Sequence, residues 1–465
     1  MSGMVGAVSI STKRASLLVR MIAAAQVLLL AVVPAAHAQS VPVVRDAEIE
    51  ALMRDYARPI LRAAGLGKSG IEIILVNDPS FNAFVAGRRI FFHTGALLQA
   101  ETPNEIIGVI AHESGHIAGG HQERLHQQLA RAQTMAIVGA MLGMGIGVAG
   151  AANGSSGLGP IGAGIAMGTP EMARRSLLGY QRTEEATADR SAITYLDATG
   201  QSAAGMLKTF QRFASALSFS GARVDPYQIS HPMPQERIAS LKTLAEKSPN
   251  FRKKDSPALQ RRHDMMRAKI AAYTQGQGAV QRLFRNRPDN DGARYGDAIM
   301  THLAGNPKDA LRKVDALLKR DPSNPYLHEL RGDVLIKLGR AGDAAKAYAT
   351  AVARDPEKSG ILRVGYGQAI LATGARDAPR KAIREISAGL DRDKEYITGY
   401  RSLAQAYGQA GEVGMAELAT AEGHFYTAQY REAKIFAARA QQKLKRGSPA
   451  WVRAQDIINF VIPKR

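Results

Sequence analysis

At 465 residues the chain exceeds what one ordinary core organises, so two or three domains are expected. Hydrophobic residues at 45% against charged residues at 22% exclude wholesale disorder, and the lack of cysteine excludes a disulfide scaffold. The formal charge of +20 favours anionic partners such as lipid head groups or cell-wall polymers without selecting among them.

Residues 1–38 read as a removable export leader. Lys13, Arg14 and Arg20 form a basic start, Met21 to Val33 is a short apolar run, and Ala36-His37-Ala38 offers small residues for cleavage before Gln39. The remaining chain keeps +17, since three cations and no anions leave with the leader. Export argues against a nucleic-acid partner.

A helix is predicted from Asp46 to Ala64, stopped by Gly65 and Gly67. Ile71 to Val76 and Arg89 to His93 read as β-strands, the first ending at Asn77-Asp78-Pro79 and the second leading into Thr94-Gly95. Thr102-Pro103-Asn104-Glu105 then has the pattern of a capping box with proline at the first helical position, and the helix runs through Ile106, Val109 and Ile110 into His112. No charged residue occurs between Ala132 and Pro170, where glycine recurs densely. That density predicts an apolar loop or hairpin over the site, with peripheral membrane contact as the alternative and a true span as the third reading.

A further helix is expected from Arg182 to Leu196. Residues 39–247 are taken as the first folded domain and 248–304 as a basic linker or helical connector, with Arg252-Lys253-Lys254 and Gln275 to Gly278 as its marks. From Gly305 to Arg465 the chain repeats: Arg320-Asp321-Pro322 returns as Arg354-Asp355-Pro356, a shift of 34 residues, the tetratricopeptide period. Gly332, Ala344, Tyr348 and Ala351 occupy helix-contact positions of one repeat; Leu403, Tyr407 and Ala416 fit another, and Tyr430, Ala433 and Ala440 a weaker one. About four helix pairs in a solenoid follow.

His112-Glu113-Ser114-Gly115-His116 sets two imidazoles about 6 Å apart along one helix face, where both can reach one ion. Composition predicts such an HExxH only ~0.01 times in this chain, so chance does not explain it. Glu113 projects to the side, where it can take a proton from water and return it to a leaving amine. A hydrolytic zinc needs a third protein ligand and an open position. Gln122 stands where a third histidine of the long metzincin motif would be, and His121 is wrongly spaced for the same face. Glu185 and Asp189, at i and i+4 on the later helix, are the best source: Glu185 can bind zinc while Asp189 holds the second ring N–H of a ligand histidine, with Glu184 as the competing ligand.

With these residues the chain resembles the gluzincin metallopeptidases of the HtpX and CAAX-prenyl-protease type, most of all a periplasmic branch with tetratricopeptide repeats. The resemblance rests on Asn82-Ala83-Phe84 with Thr94-Gly95, His112 to His121, Glu185 to Asp189, and His231-Pro232-Met233-Pro234 with Arg237. It implies one zinc per chain on His112, His116 and Glu185, catalysis by Glu113, and roles at the active site for His231 and Arg237: a neutral His231 held by the adjacent Pro232 and Pro234 could fill the fourth zinc position as a gate or stabilise an oxyanion, a task Arg237 could share. It further implies a periplasmic task in quality control of outer-membrane proteins, with misfolded or stalled ones as substrates and the repeats reaching the assembly machinery. Val85-Ala86-Gly87-Arg88-Arg89 departs from the usual Pro-Gly-Gly stretch. The fold expected is an α-rich α+β zinc metallopeptidase domain followed by an all-α solenoid. The rival is a chaperone or scaffold in which the repeats act and zinc is structural.

Overall fold

The computed structural model describes residues 42–152, 158–219, 231–232 and 235–462. The leader expected over residues 1–38, and Met233-Pro234, lie outside the described residues. The architecture is α-rich, with one small sheet near the start and helices throughout the rest.

Helix α1 (Ala47–Ala63) begins where Asp46 accepts a hydrogen bond from the Ile49 amide at 2.9 Å. Leu52, Met53, Tyr56 and Ile60 recur at helical spacing and are fully buried in the first core. The sheet comprises β1 (Val43–Val44), β2 (Glu72–Val76), β3 (Ala83–Ala86) and β4 (Arg89–His93), in the order β1-β2-β4-β3. β2 runs parallel to β4, while β3 folds back antiparallel on β4 and forms one edge. The two-residue β1 leaves no alternation for a sequence pattern to detect.

α2 (Thr94–Gln99) leads into α3 (Pro103–Gly119), which carries the HExxH residues. Thr102 is the N-cap, but its hydroxyl caps no amide and donates instead, at 3.4 Å, to Glu105. Its carboxylate accepts from the Glu101 amide and is buried against Lys208 and Arg212 of α6 (Ala204–Phe219). Tertiary ion pairing thus replaces the local box.

The apolar stretch expected as a loop or hairpin is a helical hairpin of α4 (His121–Ala152) and α5 (Leu158–Ala198). Glycine weakens an isolated helix by about 1 kcal/mol per residue, yet its lack of a side chain favours the close helix pairing this hairpin makes. Among the described residues no helix is long and apolar enough to cross a membrane.

After α7 (Gln235–Lys247), the basic stretch expected as a connector is packed helix: α8 (Pro257–Gln275), α9 (Gln277–Leu283) and α10 (Asp291–Ala304). Met266 and Ile270 of α8 enter the first core, and Met265, Ala268 and Ala271 enter a second core with Val314, Leu317 and Leu327 of the repeats. The repeats continue as α11 (Pro307–Arg320), α12 (Pro325–Lys337), α13 (Ala341–Arg354), α14 (Gly360–Ala372), α15 (Ala378–Arg392), α16 (Ile397–Gln409), α17 (Val413–Tyr426), α18 (Tyr430–Gln441) and α19 (Pro449–Asn459).

The first domain docks on these repeats through α1. Ala47 and Ala51 pack with Tyr326, Ile361 and Leu362, while Arg54 and Arg58 pair with Glu357 at 3.0 and 2.6 Å. Buried Lys269 joins Asp46, Glu48 and Glu329. This face of the repeats is therefore already occupied by the chain itself.

Candidate active site

His112 and His116, one turn apart on α3, bring their Nε2 atoms within 3.0 Å. Gly115 between them faces α5, where a Cβ would stand 3.0 Å from the Ala188 carbonyl oxygen; only glycine gives the two backbones this approach without displacement. Glu185 is thereby set across from the histidines, Oε2 at 3.3 Å from His112 Nε2 and Oε1 at 3.4 Å from His116 Nε2. His231 completes the group: its Nδ1 lies 3.0 Å from Glu185 Oε1 and 3.4 Å from His112 Nε2. One ligand atom from each of these four residues falls within 4.8 Å of the others.

The arrangement fits a zinc ion. Bonds of about 2.0–2.1 Å in a tetrahedron hold ligand atoms ~3.3–3.4 Å apart, close to the 3.0–3.4 Å separations above. With the histidines neutral, as metal ligands must be, the carboxylates of Glu113, Glu185 and Asp189 against the single guanidinium of Arg237 give a formal excess of two negative charges (three minus one) in a buried pocket, which a divalent cation would cancel.

The surrounding groups fix the ligands. Asp189 Oδ1 lies 3.0 Å from His112 Nδ1. Arg237 forks onto Asp189 at 2.7 and 2.8 Å, gives Nη1 to Glu185 at 2.8 Å and to the Pro232 carbonyl at 3.0 Å, and stacks 5.1 Å above the Phe210 ring. Its donors thus serve the carboxylates, a positioning geometry that the oxyanion reading did not foresee. Glu113 is 1% exposed, and no hydrogen bond satisfies its Oε1 among the described residues; His231 Nε2 is 3.5 Å away.

In the metal-free site, burial opposes charge on His112, but Asp189 and Glu185 outweigh it and raise the ring to about 9. Burial drives His116 well below the ordinary histidine value, with charged His112 adding to the effect. Burial also raises Glu113. Glu185 suffers the same burial, yet His231 and His112 overcome it and hold its carboxyl well below the usual range. Asp189 is likewise held low, burial being overcome by Arg237 and His112.

Of the sequence candidates, the structure brings His112, His116, Glu185 and His231 into one cluster, with Glu113, Asp189 and Arg237 around it. Glu184 turns away from the cluster toward His121 and Arg124. Sequence reasoning set His121 aside on spacing alone, whereas its Nδ1 stands 2.9 Å from His116 Nδ1. Its signal was the Gly119-Gly120 pair just before it, where Gly120 takes φ +65° and turns the chain back.

Comparison with known proteins agrees with this geometry. Residues 44–245 match peptidase family M48, and residues 304–359 match a tetratricopeptide repeat family. The chain is 22% identical over 419 residues to the beta-barrel assembly-enhancing protease of Escherichia coli (strain K12), covering 88% of this chain and 82% of that one. It is 24% identical over 436 residues to a putative beta-barrel assembly-enhancing protease of Vibrio cholerae serotype O1, covering 91% and 86%. The histidine-carboxylate cluster and these matches together make this chain a zinc metallopeptidase that carries a peptidase family M48 domain ahead of tetratricopeptide repeats.

Proposed function

We propose that this protein is a periplasmic metalloendopeptidase that removes misfolded or stalled outer-membrane proteins during their assembly. The observation that carries the chemistry is the convergence of His112, His116 and Glu185 beside the buried, unsatisfied carboxylate of Glu113. Zinc, when bound, supplies Lewis-acid polarisation of the scissile carbonyl and acidifies water. Glu113 then takes the proton from water and passes it to the leaving amine, a role its burial and raised pKa favour. The extended substrate adds to β3, the sheet edge beside α3. His231, with Nδ1 inside the ligand cluster, would help hold the ion and so keep the resting site closed, serving as its latch. Arg237 positions Glu185 and Asp189.

The periplasmic setting is supported by the leader pattern of residues 1–38 and by the printed names of the relatives. Met135, Ile137, Val138, Met141 and Met172, exposed on the α4–α5 hairpin, support peripheral contact with a membrane surface. Repeat faces away from α1 serve the assembly machinery. The deciding experiment is digestion of casein by the purified protein and by Glu113→Gln, with zinc measured in both. The variant should keep about one zinc per chain while losing activity by ~10²-fold or more. Digestion at the original rate would overturn the mechanism.

A further inference from the structure

The adjacent carboxylates Glu184 and Glu185 lie about 100° apart around α5, so they serve different neighbours. Glu185 faces the ligand cluster. Glu184 Oε2 lies 2.5 Å from His121 Nε2 and 2.8 Å from the Arg124 guanidinium, which also reaches the Tyr180 hydroxyl at 3.4 Å. His121 Nε2 is buried, and among the described residues this close carboxylate contact is all that faces it, no aligned hydrogen bond being made. On its other side the ring meets His116, Nδ1 to Nδ1, at 2.9 Å.

We infer that His121 and Glu184 form a positioning relay that fixes the tautomer and ring angle of His116, matching on the second ligand histidine what Asp189 and Arg237 do for the first. The inference rests on His116 being a zinc ligand. Proton placement along the relay is then determined. His116 binding through Nε2 carries its proton on Nδ1 and donates it to His121 Nδ1; His121 keeps its own proton on Nε2, toward Glu184; Arg124 anchors Glu184 from the other side. The His116–His121 and Arg124–Glu184 links are hydrogen bonds, and the His121–Glu184 link is a close ion-pair contact that a small ring rotation would align. The backbone makes room for it: a Cβ on Gly119 would stand 2.2 Å from His121 Nε2, so glycine there lets the ring fold back over the last turn of α3.

The test measures zinc affinity by chelator competition and the visible spectrum of the cobalt-substituted full-length protein, alongside kcat and KM on casein. His121→Ala should weaken zinc binding ~10- to 100-fold and shift the cobalt bands, because the freed His116 ring no longer has a set orientation. His121→Asn can offer an acceptor near the Nδ1 position and should recover part of the affinity, which a purely structural role would not reproduce. Gly119→Ala, which keeps every polar group but displaces the ring, should copy the His121→Ala spectrum. Glu184→Gln should shift it less. Wild-type affinity and spectrum in His121→Ala would overturn the relay. His116→Ala separates this failure from a deeper one: if it too retains zinc at wild-type affinity, the ligand assignment itself is wrong.

Discussion

Replacing Arg237 by methionine tests whether its guanidinium holds the carboxylates or serves the reaction. The side chain is 7% exposed and spends three nitrogens on Asp189 and Glu185, whose side chains are 5% and 8% exposed. Removing one partner of a buried ionic network costs about 3–5 kcal/mol, because the remaining charges stay desolvated without compensation. Methionine refills much of the volume over Phe210, so the loss is chiefly electrostatic. Zinc offsets part of it by taking up the charge of Glu185, whereas Asp189 keeps only its contact with His112. Arg237→Met should therefore lose about 3–5 kcal/mol in chelator and visibly less with zinc, so that zinc raises the melting temperature of the variant more than that of the parent. Urea unfolding with and without zinc reads both. Arg237→Lys, unable to fork, should recover only part. Stability within about 1 kcal/mol of the parent, combined with a loss confined to kcat, would refute the positioning argument and restore the oxyanion role.

Three further outcomes follow from the same geometry. His231→Ala should raise basal casein digestion with zinc content unchanged, and a fall in activity would instead assign His231 to the oxyanion. Glu329, buried beside Lys269, Asp46 and Asp333, has its carboxyl raised by burial from 4.5 to about 8. A carboxyl raised in the folded state contributes stability that is full below about 4.5 and is lost as pH climbs toward 8. Glu329→Gln should accordingly flatten the decline in unfolding free energy between pH 5 and pH 8, an effect of roughly a few kcal/mol at about 1.4 kcal/mol per pH unit, and an unchanged pH profile would count against it. Cutting the chain before Gly305 removes Val314, Leu317 and Leu327 from the second core and uncovers Ala47 and Ala51, so the fragment should melt well below the full chain by calorimetry; equal melting temperatures would show the domains to be independent.

Local chemistry written along one helix was legible without coordinates. The HExxH spacing, the proline at the start of α3 and the 34-residue period are short-range signals, and each survives in the structure. What stayed hidden depends on contacts between distant segments. Glu105 reads as a capping residue until Lys208 and Arg212, about a hundred positions on, claim it. The glycines between Gly139 and Gly168 read as helix breakers because propensity is a property of one segment, whereas α4 and α5 stabilise each other as a pair. Residues 248–304 read as a connector from their surface charge, although alternate faces of α8 insert into two cores. At the site, spacing set His121 apart from the metal face but did not show that Gly120 ends α3 and returns the next residue toward His116. Glu184 and Glu185 could not be separated from sequence because a shift of one residue in helix register exchanges their faces.

The docking of α1 also bears on how the molecule comes to be made. Arg54 and Arg45 meet Glu357 and Asp393 across sequence separations of 303 and 348 residues. Loop closure over such lengths adds little free energy, since its cost grows only with the logarithm of length. The delay in time is another matter. A chain delivered from its N-terminus presents α1 early, and the face formed by Ala47 and Ala51 lacks its repeat partners until Tyr326, and then Ile361 and Leu362, arrive. During that interval a helix that packs on the HExxH segment with one side is left bare on the other, open to chaperones and to its own misplaced repeats. Native assembly is thus vectorial, and the face of the first helix is sealed by repeats that emerge some three hundred residues after it.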